Sequence, residues 1–140
     1  MVEQNKRIAH RFVEEVINGG NTRLLAEIVS PDHVSHLPLG DHYGPEGVRI
    51  DICGFRSAFP DLHLTIESMV GEADYVVYRF VARGTHKGPF MGVPPSGRRI
   101  EVDGISMDRL RDGQTIERWL QYDTVALLQQ IGSASALSST

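Results

Sequence analysis

The chain has 140 residues, of which 41% are apolar and 23% charged, which suits one domain with a buried core and excludes a disordered chain. A formal charge of −4 and a pI near 5.8 argue against nucleic acid as a partner, because phosphates select basic faces. No apolar run approaches the ~18–20 residues of a membrane span, the N-terminus lacks a signal-peptide core, and the lone Cys53 excludes an internal disulfide, so a cytoplasmic protein is expected.

Ile8, Phe12 and Val16 recur at i+4 with Ala9, Val13 and Ile17 beside them, which predicts an amphipathic first helix ended by Gly19-Gly20. Asn21 or Thr22 can cap a shorter second helix carrying Leu24, Leu25, Ile28 and Val29, with Ser30-Pro31 closing it. His33 to Leu37 reads as a short extended segment and Pro38 to Gly44 as a loop. Pro45 suits the first position of a third helix, whose stripe is Ile52, Phe55 and Phe59 and whose stop is Pro60.

The period then changes from 3.6 to 2. Leu62, Leu64 and Ile66 alternate with polar residues up to the Gly71–Asp74 turn, and Tyr75 to His86 is a long β-branched and aromatic strand. Lys87 to Gly97 holds three glycines and three prolines in eleven residues, which is a loop. Arg98 to Leu110 and Thr115 to Asp123 are strands joined by the Asp112-Gly113 turn, and Val125 to Ile131 is a last short helix. Residues 133–140 read as a flexible tail, leaving 1–132 as a single domain. Helices first and hairpin-linked strands afterwards predict an α+β fold with helices on one face of an antiparallel sheet. Strands this long curl strongly, so the sheet is expected to wrap the helices into a cone with a central pocket.

The candidate chemistry centres on Thr115 to Asp123. As a strand, it turns Ile116, Arg118, Leu120 and Tyr122 to one face and Glu117, Trp119, Gln121 and Asp123 to the other. The only tryptophan beside a terminal carboxylate suggests an apolar pocket with an acid at its mouth. Asp123 also stands where an N-cap of the last helix belongs, and both readings stand. Trp119 is equally at home in a core or an interface. His33, His36 and His42 are close in sequence, yet their spacing fits no compact zinc pattern and no cysteine joins them, so no metal is expected. Arg79 could pair with Glu117 across the sheet. Neither a Gly-x-Ser-x-Gly elbow nor a phosphate loop is present.

Three segments carry a resemblance. They are Phe59-Pro60-Asp61-Leu62; Gly84-Thr85-His86-Lys87-Gly88 with Pro94-Pro95-Ser96-Gly97-Arg98; and Asp112-Gly113 through Glu117-x-Trp119 to Asp123-x3-Leu127-Leu128-x-Gln130-Ile131-Gly132. In that order and spacing, from about Asn5 to Gly132, the chain resembles the SnoaL-like polyketide cyclases, a branch of the nuclear transport factor 2-like superfamily. The resemblance implies a conical α+β barrel around an internal pocket for a hydrophobic small molecule. It also implies homodimers or homotetramers built through the outer sheet face. It implies cofactor-independent aldol cyclisation of a polyketide-like substrate, with Asp123 as acid/base and His36 as a second catalytic group. His86 and Trp119 would then belong to the substrate pocket. A departure is that Ile105 to Arg109 carries no imidazole, which some of these cyclases offer to an enolate. The rival reading is a small-molecule-binding or assembly module of the same fold; isomerisation, dehydration and epoxide hydrolysis are further chemistries it can host. On the residues alone, His36 is a pocket donor or an exposed strand-end histidine, and His86 a pocket group or the pin of a loop.

Overall fold

The computed structural model describes residues 1–132. Val2–Arg11 forms α1, and Phe12–Asn18 continues it as a wider π-helical turn. Ala9, Phe12, Val13 and Val16 are buried, the stripe that the i+4 spacing predicts. The carbonyls of Ile17 and Asn18 at its end accept from Arg56 Nη1 at 2.8 and 3.1 Å, which satisfies acceptors a helix terminus leaves open. The Asn18 amide bonds both backbone groups of Leu64, at 2.9 and 2.8 Å, and so ties the helix to the sheet.

A 3-10 turn, Thr22–Leu24, leads into α2 (Leu25–Ile28). The remaining elements are β1 (Val29–Leu37), β2 (Gly40–Tyr43), α3 (Gly44–Ala58), β3 (His63–Glu72), β4 (Tyr75–Thr85), β5 (Arg99–Arg111), β6 (Gln114–Tyr122) and α4 (Thr124–Gln130). The strands form one sheet in the order β2-β1-β6-β5-β4-β3. Its neighbours run antiparallel except β1 and β6, which are parallel, so the sheet is mixed where an antiparallel one was expected. Two further boundaries change. Ser30 and Pro31 lie inside β1 instead of closing α2, and the expected 38–44 loop contains β2. All four residues of β2 are exposed, so it has no alternation to read.

The register builds two faces. Ser35, Arg118, Asp108 and Val76 form one inner row; Leu120, Ser106 and Tyr78 form the next; Tyr122, Gly104 and Phe80 form a third. A Cβ on Gly104 would lie 2.3 Å from Phe80 Cζ, so this glycine lets the Phe80 ring lie flat across the sheet. Asp112 and Gly113, at φ 52° and 79°, supply the left-handed pair that a two-residue hairpin needs. Register shifts in β3, between Ile66 and Ser68, and in β6, where Ile116 has no partner opposite Arg109 and Leu110, bend the strands, and the curved sheet closes around α1 and α3 as a cone. No helix among the described residues is long and apolar enough to cross a membrane. The expected tail, 133–140, lies outside the described residues.

Candidate functional site

A cavity of about 120 Å³ lies between α3 and the inner sheet face. That is close to the ~150 Å³ engineered cavity that holds benzene, so one aromatic ring fits. Val48, Asp51, Ile52 and Phe55 project into its wall from one side of α3 at i, i+3, i+4 and i+7. Tyr78, Phe80, Leu120 and Tyr122 face them from the sheet. Outside the lining, Phe90 of the loop after β4 backs the wall, its ring 5.5 Å from Phe55 and 5.4 Å from Phe59. The wall open to a ligand is almost wholly carbon.

Polar groups lie at its edges. Asp51 is the one carboxylate among the described lining residues, with a side chain 17% exposed. Its Oδ1 is hydrogen-bonded to His42 Nδ1 at 2.5 Å. Burial pushes the Asp51 carboxyl up from its ordinary value, against the opposing pull of His42 and Arg118. Burial also raises the phenol of Tyr122, with the charge of Asp51 adding to the effect. Arg118, also in the lining, donates from Nε to Asp108 Oδ1 at 2.9 Å and from Nη2 to Oδ2 at 3.3 Å, and its guanidinium stands 3.9 Å over the Phe12 ring. Ser106 donates to the same carboxylate at 2.9 Å. Burial works against the charge of Arg118, and Asp108 outweighs it. His33 Nδ1 donates to the Thr115 carbonyl at 3.1 Å, so Nε2 accepts from Ser35 Oγ at 2.7 Å. Burial, with Arg118 nearby, lowers His33 to about 4, which keeps it neutral.

The residues singled out from the sequence do not converge on this cavity. Asp123 lies just past the end of β6, is exposed, and caps α4 by accepting from the Ala126 N–H at 3.0 Å. Trp119 is on the outer face: Leu120 and Tyr122 take the inner one, and alternation turns the indole away. His36 is beside it, stacked at 5.3 Å and 25°, with Nε2 2.7 Å from Glu117 and Nδ1 2.9 Å from Asp41. Glu117 first, then Asp41, raises its pKa. His86 is fully buried outside the cavity wall. Its Nδ1 accepts from the Ser96 N–H at 3.1 Å and its backbone is paired with Arg98 and Gly97 at 2.8 Å, which pins the base of the 87–97 loop. The Ser96 bond leaves the ring proton on Nε2, which has no partner among the described residues. His33, His36 and His42 enter three separate networks, and no metal-holding group of three ligands occurs among the described residues. Glu117 pairs with His36 and, at 3.6 Å, Arg109, and not with Arg79.

Sequence reasoning missed Asp51, although its signal was present: position 51 falls on the apolar face of α3 between Val48 and Phe55. Arg118 was legible only as a charge among Ile116, Leu120 and Tyr122, since its partner Asp108 is on another strand.

Comparison with known proteins follows the same cone. A profile of the SnoaL-like polyketide cyclase family matches residues 7–131. The nogalonic acid methyl ester cyclase of Streptomyces nogalater is 27% identical over 118 residues, covering 82% of this chain and 88% of that protein. IdmH of Streptomyces antibioticus, a candidate polyketide cyclase, superposes with a TM-score of 0.81 at 37% identity, over 92% of this chain and 99% of its own. TsrD of Streptomyces laurentii gives 0.84 at 30% identity, over 94% and 96%.

Proposed function

The chain belongs to the SnoaL-like polyketide cyclase family, and on that footing we propose that it closes a ring in a hydrophobic polyketide-like substrate by intramolecular aldol condensation, without a cofactor, at the cavity rim beside Asp51. The observation that carries this reading is a carbon-walled cavity with one carboxylate at its edge whose pKa is raised by burial. In this scheme Asp51 takes a proton from a carbon between two carbonyls, and the enolate carbon attacks a carbonyl of the same molecule. The new alkoxide then recovers the proton from Asp51, so atoms and charge balance. Tyr122, a cavity-lining phenol that feels the charge of Asp51, is the proposed donor to the enolate oxygen. Relatives named as cyclases of nogalonic and aklanonic acid methyl esters support the ester-bearing polyketide as substrate class. Asp123, bound to the α4 backbone, is assigned the cap and not the base.

The test is α-proton exchange in D2O on ethyl benzoylacetate, a one-ring carbon acid, read by proton NMR against the uncatalysed rate. Asp51→Asn should lose about a hundredfold or more of the catalysed exchange. Asp123→Asn should keep it. The reverse ranking, with both proteins folded, would return the base to Asp123.

A second reading, a binding module without turnover, is favoured by the same carbon wall. It predicts that the probe binds wild type while exchange never exceeds background.

For assembly we propose pairing of two copies through the outer face. His36, Trp119, Met107 and Val77 form one row there, with half-exposed Ile105 beside them and Arg109 and Glu117 at the rim.

A further inference from the structure

The surroundings of Asp51 extend beyond the cavity. His42 stands on the edge strand β2, outside the cone, with a side chain 47% exposed, yet its Nδ1 reaches Asp51 Oδ1 at 2.5 Å. Gly47, one helical turn before Asp51 on α3, makes room for this reach. A Cβ there would lie 3.1 Å from His42 Cβ and 3.3 Å from its carbonyl carbon. Glycine inside a helix is an unfavourable choice, and its use here admits His42 close against the helix face that carries Asp51. The second carboxylate oxygen of Asp51 has no partner among the described residues and is not among the buried unpartnered atoms.

We propose that His42 is the positioning residue of the site: it occupies one oxygen of Asp51 from the solvent side, fixes the carboxylate rotamer at the rim, and leaves the other oxygen as the basic atom. This inference rests on Asp51 being the acid/base group. It makes Asp51 answerable to a side chain that never enters the cavity. The other groups acting on Asp51 come from β6, where Arg118 favours its ionised form and Tyr122 is the neighbouring phenol. From β1 the wall receives Ser35 and Leu37, neither of which titrates near neutrality, and α2 contributes no described lining residue. His42 opposes the effect of burial on Asp51. Its removal therefore leaves Asp51 protonated to higher pH, and the acid limb of the rate profile moves in the alkaline direction.

The experiment compares wild type, His42→Asn and His42→Ala in two readouts: the ¹³C carboxyl titration of Asp51, and the pH profile of ethyl benzoylacetate exchange. His42→Ala should displace both the titration and the acid limb to higher pH and lower the plateau rate about ten- to a hundredfold, through misplacement of the carboxylate. His42→Asn, which keeps a donor near Nδ1, should recover part of each. A titration and a profile both unchanged in His42→Ala would overturn the inference. Gly47→Ala guards against an effect of deleting the imidazole itself: its Cβ would crowd His42 while leaving the ring in place, and it should move the profile in the same direction. Absence of exchange in wild type sinks the Asp51 reading itself, whereas wild-type exchange indifferent to His42 sinks only the inference.

Discussion

Arg118 is 4% exposed and charged, a state made tolerable by a two-point contact with Asp108 and by the Phe12 ring. Removing either partner leaves a buried charge unmatched, so Arg118→Ala or Asp108→Ala should cost about 3–5 kcal/mol in urea unfolding. A joint Arg118→Met, Asp108→Leu replacement should recover most of that loss, because apolar residues of similar volume carry no desolvation cost. Asp51 behaves differently. Its carboxyl is raised in the folded state, so ionising it works against folding, and stability falls as pH rises through the folded pKa. Asp51→Asn should therefore be at least as stable as wild type at pH 7, with each 1 kcal/mol regained visible as about 2–8 °C in Tm. The difference should close as pH falls towards the ordinary aspartate value of about 3.9. A variant that loses exchange and gains stability is the signature of a functional carboxylate.

Elements announced by local chemistry were legible in the sequence. The first helix, the third helix, the β5–β6 turn and the long strands followed from spacing, Pro45, Pro60 and Asp112-Gly113. What local chemistry does not announce was not legible. The short exposed β2 has no alternation, and the parallel β1–β6 pairing joins segments far apart in the chain, with His36 opposite Trp119. The orientation of β6 is not legible, because an indole suits a pocket wall as well as an outer face, while burial of Arg118 on the opposite face depends on Asp108 of β5. Asp123→Ala should cost about 1 kcal/mol by uncapping α4, measured by thermal melting. Gly104→Ala should drive Phe80 into the cavity, cost about 1–3 kcal/mol, and weaken binding of a one-ring ligand in calorimetry.

For the whole molecule, pH stability rests on groups held in unequal environments. His33 is lowered to about 4 by burial and by Arg118, so its contribution is complete above the free histidine value and is lost as pH falls from about 6.5 through the folded pKa. The loss amounts to on the order of 3 kcal/mol, and His33→Asn should flatten the stability profile across that window. On the outer face, if two copies pair as proposed, Ile105→Glu should shift that dimer towards monomer in sedimentation while leaving the exchange reaction unaltered, since Ile105 is turned away from the cavity. Whether chemistry belongs to the cavity rim or to the end of β6 is decided by carboxyl NMR of Asp51 and Asp123 during titration with ethyl benzoylacetate. With the base at the rim, Asp51 should titrate above the free value and move when the ligand enters, while Asp123 stays fixed. A ligand-sensitive Asp123 beside an indifferent Asp51 would contradict it.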